Sequence, residues 1–215
     1  MDEKPKLSNN ISENPLKETS GIIMRFFILI KTIFSNIFDF IFAGPIFTAF
    51  LVAIILIRIF VAEPFLVYGS SMEPNFDTGD YLIVDELTYK LEKPKRGDVV
   101  VLRPPFEESK HFIKRIIGLP GETISVDGKI VTIKNTEHPQ GFTLNEPYIT
   151  FQSDRVSNYA LNNHEYFVMG DNRAVSSDSR IWGPLPDNLI VGRAVMRLLP
   201  LKNIGIMPGS VNLPQ

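Results

Sequence analysis

The chain has 215 residues, a formal net charge of −2 and no cysteine. This length allows one medium-sized domain with an appendage, or two small domains. The nearly balanced charge gives no sign of a basic surface for nucleic acid, and the lack of cysteine excludes disulfides, thiolate metal sites and a cysteine nucleophile. A cysteine-free chain tolerates any redox state, so the compartment stays open.

The first 62 residues change from polar to strongly apolar. Residues 1–20 are polar and have no apolar period, which predicts a disordered tail. Residues 21–42 are apolar but interrupted by polar and charged groups, which favours an amphipathic interfacial helix or a second, poorer membrane span. Residues 43–62 contain one charge, Arg58, and have the length of a helix that crosses a bilayer. The sequence therefore predicts a transmembrane anchor at 43–62.

The charges that flank this anchor predict its orientation. Five lysines and arginines precede it, whereas Glu63 follows it. Positive charge accumulates on the cytoplasmic side of a span, so the N-terminus is expected in the cytoplasm and residues 63–215 outside it. If residues 21–42 also crossed the bilayer, the N-terminus would lie outside, and the domain that follows would stay on the same side.

Residues 63–215 have the pattern of a β-rich domain. Short runs rich in valine, isoleucine and aromatic residues alternate with glycine, proline or charged turns, and Asp127-Gly128 is a strong hairpin signal. Residues 135–163 are polar and turn-rich, and we interpret them as an excursion with one short strand. The predicted class is mostly β, with coiled antiparallel sheets or a partly closed, barrel-like domain behind an N-terminal transmembrane helix.

Two adjacent serines, Ser70 and Ser71, follow the apolar region in the stretch YGSSMEPNF. Either would need a base to act as a nucleophile. The three histidines, His111, His138 and His164, have no acidic partner at a triad spacing, and we interpret them as surface or turn residues. The sequence contains no metal-binding or phosphate-binding motif, so no metal or other cofactor is expected.

A lysine can serve as the base when burial keeps its amine neutral. In HFIKRIIGL, the two-residue period of a strand places Phe112, Lys114 and Ile116 on one face, so Lys114 has apolar neighbours. Arg115 cannot serve, because a guanidinium keeps its proton in proteins. From periodicity alone a solvent-facing lysine is the more common arrangement, and both interpretations stay open at this point.

The chain resembles type I signal peptidases in four boxes that occur in the order of that family. They are SMEP at residues 71–74, RGDVV at 96–100, KRIIGLPG at 114–121 and GDNRAVSSDSR at 170–180. A lone S-M-x-P match would be weak, whereas four ordered boxes behind an apolar N-terminal segment are specific. The resemblance extends from the anchor to about residue 197 and leaves residues 135–163 without a motif.

The resemblance implies a membrane-anchored endopeptidase that removes signal peptides from secreted preproteins by cleaving after small residues. Ser71 matches the nucleophile of the family and Lys114 its general base, with an acyl-enzyme as the intermediate. Ser176 resembles the serine that orients the lysine amine. Asp178 and Arg180 resemble a structural ion pair beside the site.

The residues around the two serines are expected to shape the substrate site. Gly69 occupies a position where some family members carry a serine that donates to the oxyanion. The oxyanion hole would therefore depend on backbone N–H groups, chiefly that of Ser71. We have no catalytic role for Ser70. By analogy with the family, the shallow pockets for alanine-like side chains are lined by Val67, Tyr68, Gly69, Met72, Phe76, Phe112 and Ile113.

The resemblance also implies partners and a location. The partners are preprotein signal peptides and the lipid bilayer, with no nucleic acid, and the protein is expected to be a monomer coupled to the secretion machinery. Its place would be the cell (inner) membrane, with the catalytic domain on the extracytoplasmic side. One alternative is an inactive, membrane-anchored β-domain that binds or scaffolds. Another is a Ser/Lys protease of the self-cleaving repressor type, which would need a helix-turn-helix where this chain has its apolar segment.

Overall fold

The computed structural model of the chain describes residues 15–60 and 62–215. They belong to two compact units, of which the first ends at Ile55 and the second extends from Leu56 to Gln215. The first unit is helical. The second contains all the strands of the described residues, together with every residue predicted to take part in chemistry.

The helix α1 begins earlier than the composition predicts. It extends over Pro15–Ala43 and so includes residues 15–20, which were expected to belong to a disordered tail. Proline is favourable in the first turn of a helix, because the backbone N–H groups there have no acceptor within the helix and the N–H that proline lacks is not needed. The rest of α1 contains no proline. The tail is therefore helical at residues 15–20, and residues 1–14 lie outside the described part of the chain.

The helix α2 lies within the segment predicted to cross a membrane. It extends over Pro45–Phe60, 16 residues, whereas the predicted span of 43–62 includes one residue outside the described ranges. Gly44 separates α2 from α1 and has no Cβ, which leaves room for the carbonyl oxygen of Phe40. Within residues 15–60 and 62–215, no helix combines the length and the apolar character that a membrane span requires.

The second unit is built mainly from short antiparallel strands. Its described strands are β1 Ala62–Leu66, β2 Tyr81–Asp85, β3 Val99–Leu102, β4 Phe112–Gly118, β5 Thr123–Asp127, β6 Ile130–Lys134, β7 Phe142–Thr143, β8 Val156–Ala160, β9 Glu165–Met169, β10 Leu185–Pro186, β11 Ile190–Leu199 and β12 Gly205–Ile206. Two short helices, α3 Thr88–Leu91 and α4 Ser179–Trp182, lie between strands. The larger sheet has the order β1-β2-β11-β3-β4-β9-β10, with β12 paired to β11, and the smaller has the order β7-β6-β5-β8.

The larger sheet is curled around its longest strand, β11. This strand pairs with β2, β3 and β12, and its register shifts three times against β2 and β3. Such bulges bend a strand and increase its twist. At one of them Gly192 approaches Asp85 so closely that a Cβ would collide with the Asp85 carbonyl. The predicted mostly-β, partly closed antiparallel architecture is confirmed for the second unit.

Residues 135–163 form part of the smaller sheet. The hairpin predicted at Asp127-Gly128 is confirmed, because β5 and β6 pair on either side of this turn. The strands β7 and β8 both lie within 135–163 and pair with β6 and β5, so this segment contributes two strands where one was predicted. Its buried leucines join a core with side chains of β4 and β9 in the larger sheet. The segment is therefore integral to the domain.

The strand β4, which carries Lys114, is buried on both of its faces. Every residue from Lys114 to Gly118 is buried, because β4 pairs with β3 and β9 in the interior of the larger sheet. Ile116 and Ile117 point into two different cores. The two-residue period is thus correct about the apolar neighbours of Lys114, and the solvent-facing alternative is wrong for this strand.

Candidate active site

Ser71 and Lys114 are in direct contact. The Nζ atom of Lys114 donates a hydrogen bond to Ser71 Oγ at 2.8 Å and another to the carbonyl oxygen of Ile113 at 2.8 Å. The Lys114 residue is 3% exposed, and its Nζ lies 5.2 Å from the centroid of the Phe112 ring. The structure thus brings together the two residues predicted as nucleophile and base, which are 43 positions apart in the sequence.

The amine of Lys114 titrates far below an ordinary lysine. Burial disfavours the ammonium form and is the largest influence, opposed by the carboxylates of Asp178 and Asp171, which favour it. The guanidinium of Arg180 also disfavours the ammonium. Together these effects lower the pKa of Lys114 from 10.5 to about 8. A large fraction of the amine is therefore neutral near pH 8 and able to accept a proton.

Hydrogen bonds hold the backbone before and after Ser71. The N–H of Asn172 donates to the Ser71 carbonyl at 3.0 Å, which ties this turn to the loop after β9. Gly69 adopts a φ of +91°, and its N–H donates to Thr78 Oγ1 at 3.0 Å. Among the described residues, no group accepts a hydrogen bond from the N–H of Ser71. This donor remains available to a bound substrate.

Asp178 and Arg180 form a buried ion pair. The Nε and Nη2 atoms of Arg180 donate to the two carboxylate oxygens of Asp178 at 2.8 and 2.7 Å, and the N–H of Gly170 donates to the same carboxylate at 3.0 Å. Burial opposes ionisation of Asp178, but these donors outweigh it and hold its pKa below the ordinary value. The ion pair predicted for these two residues is therefore present, buried beside the loop that carries Ser176.

Ser176 lies beside the dyad without contacting the lysine amine. Its hydroxyl sits over Gly170 and close to the Ser71 carbonyl, where a Cβ on Gly170 would collide with both groups. It is near enough to Asp178 to favour the ionised carboxylate, yet it makes no hydrogen bond of good geometry to any described group. The expected hydrogen bond from Ser176 to Lys114 is therefore not present, and the partners of the amine are Ser71 Oγ and the carbonyl oxygen of Ile113.

A cleft of about 320 Å³ opens beside Ser71 and Lys114. Five of the seven predicted substrate-binding residues line it, namely Val67, Tyr68, Gly69, Phe112 and Ile113. Lining residues that the sequence did not single out for substrate binding are Phe65, Leu66, Ser70, Leu82, Val101, His111, Val175 and Ser177. Apart from the last two, they adjoin the predicted residues in sequence or lie on the neighbouring strands β2 and β3, so only the strand pairing brings Leu82 and Val101 to the cleft.

Met72 and Phe76 do not line the cleft, which corrects the prediction for these two residues. They are 1% and 0% exposed and pack in the core with Val67 and Leu82. The N–H of Phe76 donates to the carbonyl of Met72, and this helical turn directs both side chains inwards. The Met72 sulfur also accepts a hydrogen bond from the N–H of Asp171. Both residues therefore support the Ser71 turn from within the core.

Arg115, which the sequence excludes as a base, is the centre of a buried network behind the dyad. It forms two hydrogen bonds with the carboxylate of Asp171, at 2.8 and 2.6 Å, and donates to the carbonyls of Gly97 and Gly209. Its guanidinium lies 4.4 Å from the centroid of the Tyr148 ring. These contacts connect the Lys114 strand to the loop after β9 and to residues 135–163.

Glu146 forms an ion pair with Arg173, which lies in the loop after β9. Its carboxylate accepts hydrogen bonds from Arg173 at 3.0 and 2.5 Å, and the two side chains are 7% and 4% exposed. The hydroxyl of Tyr148 also donates to Glu146. No motif in residues 135–163 predicts these contacts, which hold the segment that carries Ser176 and Asp178.

We expect Glu146→Gln to destabilise the protein by about 3 kcal/mol, because it leaves the buried Arg173 charge without a counter-charge. Thermal unfolding of the full chain, followed by the fluorescence of the single tryptophan, measures the change. The matched control is Glu137→Gln, an exposed glutamate in the same segment, with an expected effect within about 0.5 kcal/mol. Equal effects of the two substitutions would contradict a structural role for the Glu146–Arg173 pair.

The Ser71 hydroxyl is hydrogen-bonded to a buried amine of lowered pKa in an apolar cleft. This arrangement is typical of a serine hydrolase that uses an amine as its base. The family model described as "Signal peptidase, peptidase S26" matches residues 40–199. The chain therefore belongs to this family of serine peptidases, and the resemblance found in the sequence is confirmed.

Individual relatives agree with this assignment. The chain is 36% identical over 177 residues to the probable signal peptidase I-1 of Synechocystis sp., covering 79% of this chain and 88% of the relative. It is 28% identical over 197 residues to the signal peptidase I of Pseudomonas aeruginosa, covering 70% and 69%. A crystal structure of a signal peptidase I from Enterococcus faecalis is 27% identical, with a TM-score of 0.39, and the match covers 47% of this chain and 97% of that one.

Proposed function

We propose that the protein removes signal peptides from secreted preproteins by cleaving after small residues, with Ser71 as nucleophile and Lys114 as general base. The observation that carries this proposal is the 2.8 Å hydrogen bond between the two side chains. It lies in a cleft of a chain whose relatives are named signal peptidases. A hydroxyl in contact with an amine that is neutral near pH 8 has the base that nucleophilic attack requires.

Acylation follows from this geometry. An extended substrate segment enters the cleft by pairing with strand backbone, which places its scissile carbonyl beside Ser71. The Ser71 Oγ attacks the carbonyl carbon while the neutral Lys114 amine takes the hydroxyl proton. The unpaired N–H of Ser71 donates to the developing oxyanion, in place of the side-chain hydroxyl that Gly69 lacks. The Lys114 ammonium then protonates the leaving amine, and the mature protein departs from the acyl-enzyme.

Deacylation uses the same amine. A water molecule enters beside the ester between Ser71 and the signal peptide, and Lys114 takes a proton from it as it attacks the carbonyl carbon. When the tetrahedral intermediate collapses, the proton returns to Ser71 Oγ and the signal peptide leaves with a free carboxylate. The ion pair of Asp178 and Arg180 keeps the loop beside the amine in place through both steps.

The lining of the cleft supports a preference for small residues next to the cut. Val67, Phe112 and Ile113 are branched or aromatic and close to the dyad. Their bulk beside the dyad favours a small side chain on the acyl side of the scissile bond. They also keep water away from Lys114, which maintains its lowered pKa.

Attachment to the cell membrane is the other part of the proposal. The helices α1 and α2 carry many large apolar side chains that are exposed, among them Phe34, Phe40 and Phe50. Such side chains favour contact with lipid. With the positive charges concentrated before residue 43, the segment 43–62 would anchor the protein with its catalytic domain on the extracytoplasmic side. Substrate and enzyme would then share one surface, which raises their effective concentration.

Cleavage of a reporter preprotein by the detergent-solubilised full chain tests the function. We expect release of the mature reporter with alanine before the cut, and a single covalent adduct on Ser71 after treatment with a penem-type acylating β-lactam, located by peptide mass spectrometry. An unprocessed reporter together with an unlabelled Ser71 would overturn the proposal. That outcome would favour the alternative of an inactive binding or scaffold domain.

A further inference from the structure

Asn75 lies in the turn that carries Ser71, and its side-chain amide reaches two other segments of the fold. The Nδ2 atom donates a hydrogen bond to the Asp171 carboxylate at 2.9 Å and another to the carbonyl oxygen of Tyr148 at 3.1 Å. Both partners are acceptors, so the nitrogen of the amide and not its oxygen faces them. One side chain therefore joins the Ser71 turn to the loop after β9 and to residues 135–163.

The backbone of Asn75 is itself held in place. Its N–H donates to the carbonyl oxygen of Met72 at 3.0 Å, and its own carbonyl oxygen accepts a hydrogen bond from Arg197 Nη2 at 2.6 Å. The other terminal nitrogen of Arg197 lies 3.3 Å from the buried carboxylate of Asp80. The amide of Asn75 is therefore presented to Asp171 from a fixed position.

Asp171 connects the Ser71 turn to the strand of the base. The same carboxylate that accepts from Asn75 also accepts two hydrogen bonds from Arg115, the residue that follows Lys114 on β4. The hydrogen bond between Lys114 Nζ and Ser71 Oγ completes a closed ring of contacts. The nucleophile and the base are thus joined twice, once directly and once through Asp171.

The chemistry of this position favours an amide. An amide nitrogen has two hydrogens for two acceptors, whereas a hydroxyl has one and a carboxylate none. The amide is also neutral, which matters beside a base whose pKa responds to nearby charge. Besides burial, the groups that act on the Lys114 pKa are the charges of Asp178, Asp171 and Arg180. Asn75 therefore completes the contacts of Asp171 without adding a charge to this set.

We propose that Asn75 is a positioning residue of the dyad, which acts through Asp171 to keep Ser71 Oγ aligned with Lys114 Nζ. This inference rests on the proposed function, because preprotein cleavage is its main readout. Asn75 is not among the described residues that line the cleft, so it acts without touching the substrate. Its loss should slow the chemical step and leave substrate binding unchanged.

The first test is Asn75→Ala in the detergent-solubilised full chain, with the reporter preprotein that has alanine before the cut (the Ala reporter). At about pH 9.5, where the amine is neutral, kcat should fall about 30-fold while KM stays within about twofold, since a small misplacement of a reacting group costs up to about 10²-fold. Circular dichroism confirms folding. The matched control is Asp77→Ala, an exposed residue of the same turn, which should change both constants less than about twofold.

The second test is Asn75→Asp, which keeps the shape, removes the donors and adds a charge. It should show a similar loss of kcat at high pH. The new carboxylate beside Asp171 also favours the ammonium form of Lys114, so the midpoint of the pH profile should rise by about half to one unit. Asn158→Asp, at an exposed position of β8, adds the same charge elsewhere and should leave the midpoint unchanged. A merely structural role would not move this midpoint.

Two results would overturn the inference. One is a kcat at high pH within about twofold of the wild type in folded protein of either Asn75 variant, and the other is equal midpoints for Asn75→Asp and Asn158→Asp. Failure of the proposed function is distinguishable, because the wild type would then leave the Ala reporter uncleaved. The rate at which the penem-type β-lactam acylates Ser71 would still compare the variants, and an equal rate in Asn75→Ala and the wild type would refute the role of Asn75 alone.

Discussion

Lys114→Met is expected to abolish preprotein cleavage, with a loss of at least about 10³-fold in kcat/KM, because it removes the base that takes the Ser71 proton. Methionine fills a similar volume and keeps the contacts with Phe112 and the β4 strand. The measurement is cleavage of the Ala reporter by purified full-length protein. Ser71→Ala should cause a loss of the same size, and the double variant should lose no more, since the two groups act in one step.

The same substitution should leave the protein at least as stable as the wild type near pH 6. The pKa of Lys114 is about 8 in the folded chain and 10.5 when unperturbed. The folded state therefore binds fewer protons than the unfolded state between these values, and stability rises with pH across this window. Below pH 8 burial of the amine costs about 3 kcal/mol, which methionine removes while losing two hydrogen bonds.

Two control variants separate these effects from general damage. Lys110→Met alters an exposed lysine in the same segment, whose amine pairs with Glu107, and should change cleavage less than about twofold. Ser70→Ala should not abolish cleavage, because the hydroxyl that is hydrogen-bonded to Lys114 belongs to Ser71. Retained activity in Lys114→Met would exclude the lysine as the base.

The pH profile of the wild-type enzyme should report the Lys114 amine directly. Only the neutral amine can take the Ser71 proton, so kcat/KM should fall about tenfold for each pH unit below 8 and level off above it. The rate falls towards low pH because protonation inactivates the base. Rates with the Ala reporter between pH 5 and pH 10, together with circular dichroism to confirm that the protein stays folded, provide the measurement.

Two profiles would contradict a buried amine as the base. A rate that is constant down to pH 6 would require a base with a much lower pKa, such as a carboxylate. A rate that still rises above pH 10 would correspond to a solvated lysine with its ordinary pKa of 10.5. The first result would reject the dyad, and the second would reject the burial that the structure assigns to Lys114.

Several local features of this protein could be predicted from the sequence. Asp127-Gly128 specifies a tight turn by its own conformational preferences, and the alternation along β4 places Lys114 among apolar side chains. The S-M-x-P and K-R boxes identify Ser71 and Lys114 because they are contiguous stretches whose spacing is a property of the chain itself. Each of these predictions depends on residues that are neighbours in sequence.

The parts that were corrected depend on contacts between distant segments. Met72 and Phe76 lie close to Ser71 in sequence, but a helical turn and the core behind it bury both. Ser176 makes no hydrogen bond to Lys114, whose amine is bound to Ser71 Oγ and to the carbonyl oxygen of Ile113. Which partners a side chain finds is decided by the final packing and leaves no signature in a local pattern.

The sequence by itself therefore determined the family, the mostly-β class of the second unit and the pair Ser71 and Lys114. Only the tertiary structure decided which residues line the cleft, that the His111 ring packs against Phe65, and how Glu146 contacts the loop beside Ser71 and Lys114. The physical reason is that the curl of the larger sheet brings β1 and β4 together across three intervening strands. Bulges in β11 bend the sheet, and the partners of this strand on β2 lie more than a hundred residues away in the chain.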